Sequence, residues 1–251
     1  MQKAYIVSAN DKLAYIENIP AGCSHLLIAC HGFLGGKENR GFINLLAQKL
    51  AEIKIGVIAF DFAGSGESTG DFADITLSRQ VNNLQDIIEH TRLAYKLPMI
   101  LLGRSFGGST IVALNSNEGD IIANILWSTP IFFTRTFKNI MPGVFEQMLA
   151  GEDVTILENQ QLIKIKADFA LDINRHNLEV PEYVANLKKK PLLVIHGRED
   201  ELVSMANADY IQENIAGATI YMVDGADHSF TNYEEDRINL TVKWLAKLIN
   251  Q

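Results

Sequence analysis

Pro98-Met99-Ile100-Leu101-Leu102-Gly103-Arg104-Ser105-Phe106-Gly107-Gly108 decides how this chain reads. Proline opens a short apolar run, Met99–Leu102, which has the composition of a strand covered on both faces. A serine flanked by glycines two residues either side follows at once, and a helix is expected from Ser105 to about Leu114. Such a G-x-S-x-G junction of strand, turn and helix places its serine on a sharp, strained turn. The glycines keep a Cβ from striking the neighbouring strand or helix. The Ser105 hydroxyl is thereby lifted to a helix start, whose dipole favours developing negative charge. Glycines around a serine also make an ordinary turn or a phosphate-binding loop, so the rest of the chain must supply the partners of a nucleophile.

Working outward, β-rich runs alternate with helical periods, as in a parallel sheet covered by helices on both faces. Ala4–Val7 and Leu13–Ile19 read as an antiparallel hairpin turning at Asn10-Asp11. Strands follow at Leu26–Cys30, Gly56–Phe60, Met99–Leu102, Ile121–Trp127, Leu192–Ile195 and Thr219–Val223. Helices are expected around Phe42, Leu45, Leu46 and Leu50, over Leu77–Tyr95, Met205–Asn214 and Tyr233–Ile249. Residues from about 130 to 190 break this rhythm, with aromatics early (Phe132, Phe133, Phe137, Phe145) and an alternating stretch, Gln161–Lys166. So long an excursion between two sheet strands reads as a cap inserted over the carboxyl end of the sheet. The expectation is one domain over 1–251 with a cap at about 130–190.

A serine hydroxyl is a weak nucleophile and needs a base. The chain has six histidines. His90 on a helix and His25 at a strand entry read as structural, while His31 and His196, each before a glycine at a strand end, read as supports. His228, in Asp224-Gly225-Ala226-Asp227-His228-Ser229-Phe230, lies between the last strand and the last helix. Such loops gather at the carboxyl edge of a parallel sheet, where the Ser105 turn also emerges. The imidazole in turn needs a carboxylate to fix its tautomer and stabilise its charged form. Asp200, in His196-Gly197-Arg198-Glu199-Asp200, follows the preceding strand and gives the chain order Ser, Asp, His. Glu199 is one residue out of phase, Asp224 and Asp227 lie too near His228, and Asp61 reads as a loop-structuring residue.

An oxyanion needs two backbone N–H groups aimed at one point. Phe106 supplies one, directly after the serine. Phe33 is the natural second, in His31-Gly32-Phe33-Leu34-Gly35-Gly36, where the glycines allow close approach. That loop lacks the Lys-Ser/Thr ending and the G-x-G-x-x-G spacing of nucleotide-phosphate loops. Nothing in this chemistry calls for a cofactor or a metal.

Composition narrows the remaining classes. Of 251 residues, 47% are hydrophobic and 21% charged, ample for a core. A net charge of −8 argues against non-specific binding to nucleic acid or anionic membrane. Lys188-Lys189-Lys190 is too short to alter this. No run approaches the ~20 apolar residues of a membrane span, and no secretory leader is visible at the start. Cys30 ends an apolar run and reads as a core residue, so a disulfide to Cys23 is not expected. The expected setting is cytoplasmic.

With His31-Gly32-Phe33, Asp61-Phe62-Ala63-Gly64-Ser65-Gly66-Glu67-Ser68, the Ser105 turn and the Asp200 and His228 loops in this order, the chain resembles the α/β-hydrolase superfamily along nearly its whole length. Within it the chain is similar to small bacterial cinnamoyl (feruloyl) esterases, and also to serine aminopeptidase-type and monoacylglycerol lipase-like hydrolases. The resemblance implies an eight-stranded, mostly parallel sheet with a helical or hairpin cap. It implies Ser105, Asp200 and His228 as triad and Phe33 and Phe106 as oxyanion donors. The implied activity is hydrolysis of a small-molecule carboxylic ester through an acyl-enzyme. Thioester hydrolysis, N-terminal peptide cleavage and a non-catalytic ligand-binding role on the same fold are the alternatives. Arg104 departs from the superfamily, where many members have histidine or another residue. The aromatic start of the cap suggests an apolar acyl or aryl group, although such residues also build a cap's own core.

Overall fold

The structure, a computed structural model, describes residues 1–114, 118–158 and 160–250. The chain opens with β1 (Gln2–Ser8) and β2 (Asp11–Asn18), an antiparallel pair. Its turn falls one residue earlier than the sequence suggests. Ser8 pairs with Asp11, and Ala9 takes the left-handed corner at φ 51°. Asn10-Asp11 is a strong turn dipeptide, but the apolar register of the two strands fixes the pairing. Then come β3 (His25–Cys30), α1 (Phe42–Glu52), β4 (Ile55–Phe60), α2 (Leu77–Tyr95), β5 (Met99–Arg104), α3 (Phe106–Leu114) and β6 (Ile121–Trp127).

An excursion follows, made of α4 (Phe133–Ile140), α5 (Val144–Leu149), a separate hairpin of β7 (Val154–Glu158) and β8 (Gln161–Ile165), α6 (Asp168–Asn177) and α7 (Val180–Leu187). The alternating stretch at Gln161 is therefore a strand, as its period of two implies. The chain then returns through β9 (Leu192–Gly197), α8 (Ala206–Asn214), β10 (Thr219–Val223) and α9 (Glu234–Ile249). The main sheet runs β1-β2-β4-β3-β5-β6-β9-β10. Its β1 and β2 are antiparallel additions at one edge, and the remaining neighbours pair in parallel. This is the eight-stranded, mostly parallel α/β-hydrolase sheet that the resemblance implies.

Period-two alternation assigns each strand's side chains to two cores. Leu26, Ile28 and Cys30 of β3 and Met99 and Leu101 of β5 face one core, with α2 and α3. Leu27, Ala29, Ile100 and Leu102 face the other, under α1 and α9. Every residue of α3 is buried, so this helix is covered all round rather than along one stripe, with the Ser109 and Thr110 hydroxyls donating to the Pro130 carbonyl and Gln80 Oε1. Helix α2 has clear ends. The Thr76 side chain accepts the Arg79 N–H at its start, and Lys96 closes it in the left-handed region ahead of Pro98.

The order of the sheet creates the site. From β3 the chain goes to β4 on one side and to β5 on the other, and loops leaving the carboxyl ends diverge there. Gly107 lets α3 pack onto this edge. A Cβ on it would lie 2.4 Å from the His31 carbonyl oxygen and 2.5 Å from that of Cys30.

Candidate active site

Strand β5 continues through Arg104, and Ser105 forms the corner itself, outside the helix that the sequence reading starts there. Its φ of 51° is the strained left-handed geometry of a non-glycine residue. Backbone hydrogen bonds hold it. The Ser105 N–H donates to the Trp127 carbonyl at 2.8 Å, and the Ser105 carbonyl accepts from Gly108 at 2.8 Å. The side chain is thereby presented at the sheet's carboxyl edge.

His228 reaches it from the loop between β10 and α9. Its Nε2 lies 3.1 Å from Ser105 Oγ, and its Nδ1 lies 3.0 and 2.9 Å from the two Asp200 carboxylate oxygens. Asp200 stands after β9, its side chain wholly shielded from solvent. Oδ1 also accepts the N–H groups of Leu202 and Val203, at 3.0 and 2.7 Å. Three residues far apart in sequence thus form one hydrogen-bonded chain. A carboxylate that only accepts leaves Nδ1 as the protonated nitrogen, and Nε2 is then free to take a proton from the serine.

The other carboxylates are engaged elsewhere. Glu199 is exposed, Asp224 pairs with Arg198 at 2.6 Å, and Asp227 accepts the Thr231 N–H at 2.8 Å. Glu201, which the sequence reading did not single out, accepts the His228 backbone N–H at 3.2 Å.

The loop carrying Phe33 runs directly beside the serine. A Cβ on Gly32 would sit 3.1 Å from Ser105 Cβ and 3.7 Å from its Oγ. His31 controls this loop. The Phe62 N–H, which can only donate, points at His31 Nε2 from 3.1 Å. The ring proton therefore sits on Nδ1, which donates to the Gly32 carbonyl at 2.8 Å. That carbonyl belongs to the peptide whose N–H is Phe33's, so His31 orients the group.

His31 is buried, and burial lowers its pKa, outweighing the Gly32 hydrogen bond and the Asp61 charge that raise it. His196 is buried too, with Nε2 2.8 Å from the Val203 carbonyl and 3.4 Å from Asp200, and burial again lowers its pKa. Both are held neutral in the fold, whereas an unfolded histidine titrates near ~6.5. The unfolded chain therefore takes up protons first, and stability present above that pH falls as pH drops below it. The limiting slope is about 1.4 kcal/mol per pH unit for each residue. Urea unfolding between pH 7.5 and 5.5 should show a falling unfolding free energy. A flat profile would contradict the two buried neutral imidazoles.

A second clamp was only half legible. Asp61, read as loop-structuring, accepts the backbone N–H groups of Lys37 and Glu67 at 2.6 and 2.9 Å. It also meets Lys37 Nζ at 2.9 Å, with Glu67 and Glu38 at 2.6 and 2.9 Å from the same ammonium. Burial alone would lower the Lys37 pKa, but the hydrogen bonds to Glu67, Asp61 and Glu38 outweigh it and raise it. The loop after β3 is thereby tied to the loop after β4. No sequence signal marks a lysine as buried.

Aromatic rings close the far side. Phe33 packs on Phe72, Phe106, Phe137 and Phe169 at centroid distances of 5.5, 6.2, 5.8 and 5.3 Å. Phe106, Phe133, Phe145 and Phe169 are fully buried, and only Phe33 and Phe72 of the Phe33 cluster are partly exposed. The aromatic start of the excursion is therefore mostly its own packing, continuous with rings beside the serine. Among the described residues no group of His, Cys, Asp and Glu is placed to hold a metal, and no helix is long and apolar enough to cross a membrane. Cys23 and Cys30 are free thiols.

The sheet and the hydrogen-bonded serine, histidine and aspartate define an α/β hydrolase. The chain belongs to the serine aminopeptidase, S33, family, whose model matches residues 23–151. Among solved structures it is similar to Est1E from Butyrivibrio proteoclasticus with bound ferulic acid, at a TM-score of 0.86 and 22% identity over 99% of this chain and 100% of that one. Among curated proteins it is 22% identical to the 2-hydroxy-6-oxo-6-(2'-aminophenyl)hexa-2,4-dienoic acid hydrolase of Metapseudomonas resinovorans, covering 98% of this chain and 97% of that protein. It is also 22% identical to a monoacylglycerol lipase of Mycolicibacterium smegmatis, over 86% and 85% of the two chains. The protein is a hydrolase with a small-molecule substrate.

Proposed function

We propose that the protein is a cytoplasmic serine esterase that cleaves carboxylic esters through an acyl-enzyme. Ser105 is the nucleophile, His228 its general base and then acid, and Asp200 the carboxylate that orients the imidazole. The observation that carries this reading is the unbroken chain from Ser105 Oγ through His228 to the shielded Asp200. The Phe33 and Phe106 N–H groups receive the oxyanion, a role supported by the approach of Gly32 to Ser105 and by the His31 bond to the Gly32 carbonyl. His228 returns its proton to the leaving alcohol, and water then repeats the cycle on the acyl-enzyme. Residues 130–190 act as a cap in a single-domain chain. The Phe33 cluster favours an apolar acyl or aryl group on the substrate. The two free thiols suit a reducing compartment.

The family's name favours peptidase action as the second reading, and that reading needs a carboxylate in the cap to hold the substrate amine. Two acidic residues there are already engaged. Glu146 accepts the Gly143 N–H at 3.0 Å, and Asp153 pairs with Lys164 at 3.1 Å. A single panel of p-nitrophenyl esters, acyl thioesters and aminoacyl p-nitroanilides separates the readings. Esters are expected to give the highest kcat/KM, with aryl or medium acyl groups above acetate by roughly 10-fold or more. Faster cleavage of the anilides would replace the esterase reading with the peptidase one.

A further inference from the structure

Arg104 is the last residue of β5 and the immediate neighbour of Ser105. It follows Ile100 and Leu102 at the strand's period of two, which directs it to the face under α1 and α9. There it is buried, only 8% exposed. Its Nη1 donates to Asn39 Oδ1 at 3.2 Å and its Nη2 to Ser229 Oγ at 3.4 Å. Asn39 lies on the segment that leads from the Phe33 loop to α1, and Ser229 directly follows His228. One guanidinium therefore joins the serine turn, the Phe33 loop and the histidine loop.

A second arginine supports the same loop from below. Arg237 of α9 is fully buried. Its guanidinium lies 4.4 Å from the Trp127 ring and 4.6 Å from that of Phe230. Trp127 pairs with Arg104 across β5 and β6, and Phe230 sits two residues past His228 at φ 61°. Burial, and then the neighbouring Arg104 charge, push the Arg237 pKa down to about 9. Two adjacent buried cations are costly to desolvate. Both guanidiniums lie where the serine, Phe33 and histidine loops meet.

We propose that Arg104 is a positioning residue that sets the separation of the Ser105 hydroxyl, the His228 imidazole and the Phe33 loop. The inference rests on the reading of Ser105 and His228 as nucleophile and base. Asp200 and Glu201, both from the segment after β9, fix the imidazole edge and the backbone N–H of His228 in its loop. Arg104 restrains that loop one residue away, through Ser229. Its planar fork holds two acceptors at a fixed span, which the single ammonium of lysine cannot do.

The test compares Arg104→Met, Arg104→Lys, Ser229→Ala and the Arg104→Met/Ser229→Ala double variant. Each is assayed well below its melting temperature. Arg104→Met should lower kcat for p-nitrophenyl acetate by on the order of 10²-fold, the cost of a displacement of about 1 Å. KM should stay within about 3-fold, and fluorophosphonate labelling of Ser105 should slow by the same factor as kcat. Ser229→Ala should cost about 10-fold alone and nothing further in the Arg104→Met background, as expected of coupled partners. Arg104→Lys should fall between Arg104→Met and the parent, and with Ser229→Ala it carries the comparison if Arg104→Met does not fold.

A purely structural role would lower the melting temperature and leave kcat and labelling of the folded protein alone. Parental kcat and labelling in Arg104→Met, or a full Ser229→Ala effect in its background, would overturn the proposal. With Ser105→Ala inactive, that outcome removes only the positioning role; an active Ser105→Ala removes the underlying reading.

Discussion

Ser105→Ala should lose at least ~10³-fold in ester turnover while keeping the parent's fold and melting behaviour. The change removes one oxygen and its hydrogen bond to His228, 3.1 Å long, and touches no core packing. Its backbone is the sensitive part, since position 105 sits at φ 51°. Alanine bears the same Cβ there, so the corner and α3 behind it should persist. What remains is the residual acceleration from binding and the oxyanion donors, which attack by water alone can use. Steady-state kinetics on a p-nitrophenyl ester, with circular dichroism and a thermal melt alongside, measure both halves. Turnover near the parent's in a folded Ser105→Ala would remove the nucleophile assignment.

Asp200→Asn should lower kcat by on the order of 10²–10⁴-fold. The carboxylate holds His228 Nδ1 at 2.9 Å while accepting the Leu202 and Val203 N–H groups. An amide in that place can turn its NH2 toward Nδ1, which forces the proton onto Nε2 and disables the base. In the proposed mechanism the buried Asp200 would also offset the positive charge gained by His228, which asparagine would not. Glu199→Gln is the control, because Glu199 is exposed and one residue out of phase. A larger loss from Glu199→Gln than from Asp200→Asn, at equal stability, would reassign the acid.

Much of this site was legible in the chain because each group stands where a strand ends. Ser105 follows β5, Asp200 follows β9 and His228 follows β10, and apolar runs bounded by glycine mark those ends. Helix α2 has the bounds expected of it, Leu77–Tyr95, and the structure adds the Thr76 cap at its start. The excursion resisted reading for a physical reason. Its helices are short, down to six residues in α5, and they bury their apolar faces against one another, so no periodic stripe runs long enough to stand out. Lys37 and Arg237 were invisible as buried cations, since burial of a charge is decided by partners that lie distant in sequence. The hairpin slipped by one residue because strand register outweighed the preference of Asn10-Asp11 for a turn. Arg104 stood out in the sequence only as a departure, and its contacts with Asn39 and Ser229 underlie the role proposed for it.

Whether Ser105 is the nucleophile is decided by intact-mass and peptide-level analysis after treatment with a fluorophosphonate, which reacts with serines activated by a neighbouring base. One adduct per chain is expected, on the peptide containing Ser105, lost in Ser105→Ala and slowed at least ~10³-fold in His228→Ala. A folded protein that stays unlabelled, or that carries its adduct on another residue, would contradict that assignment.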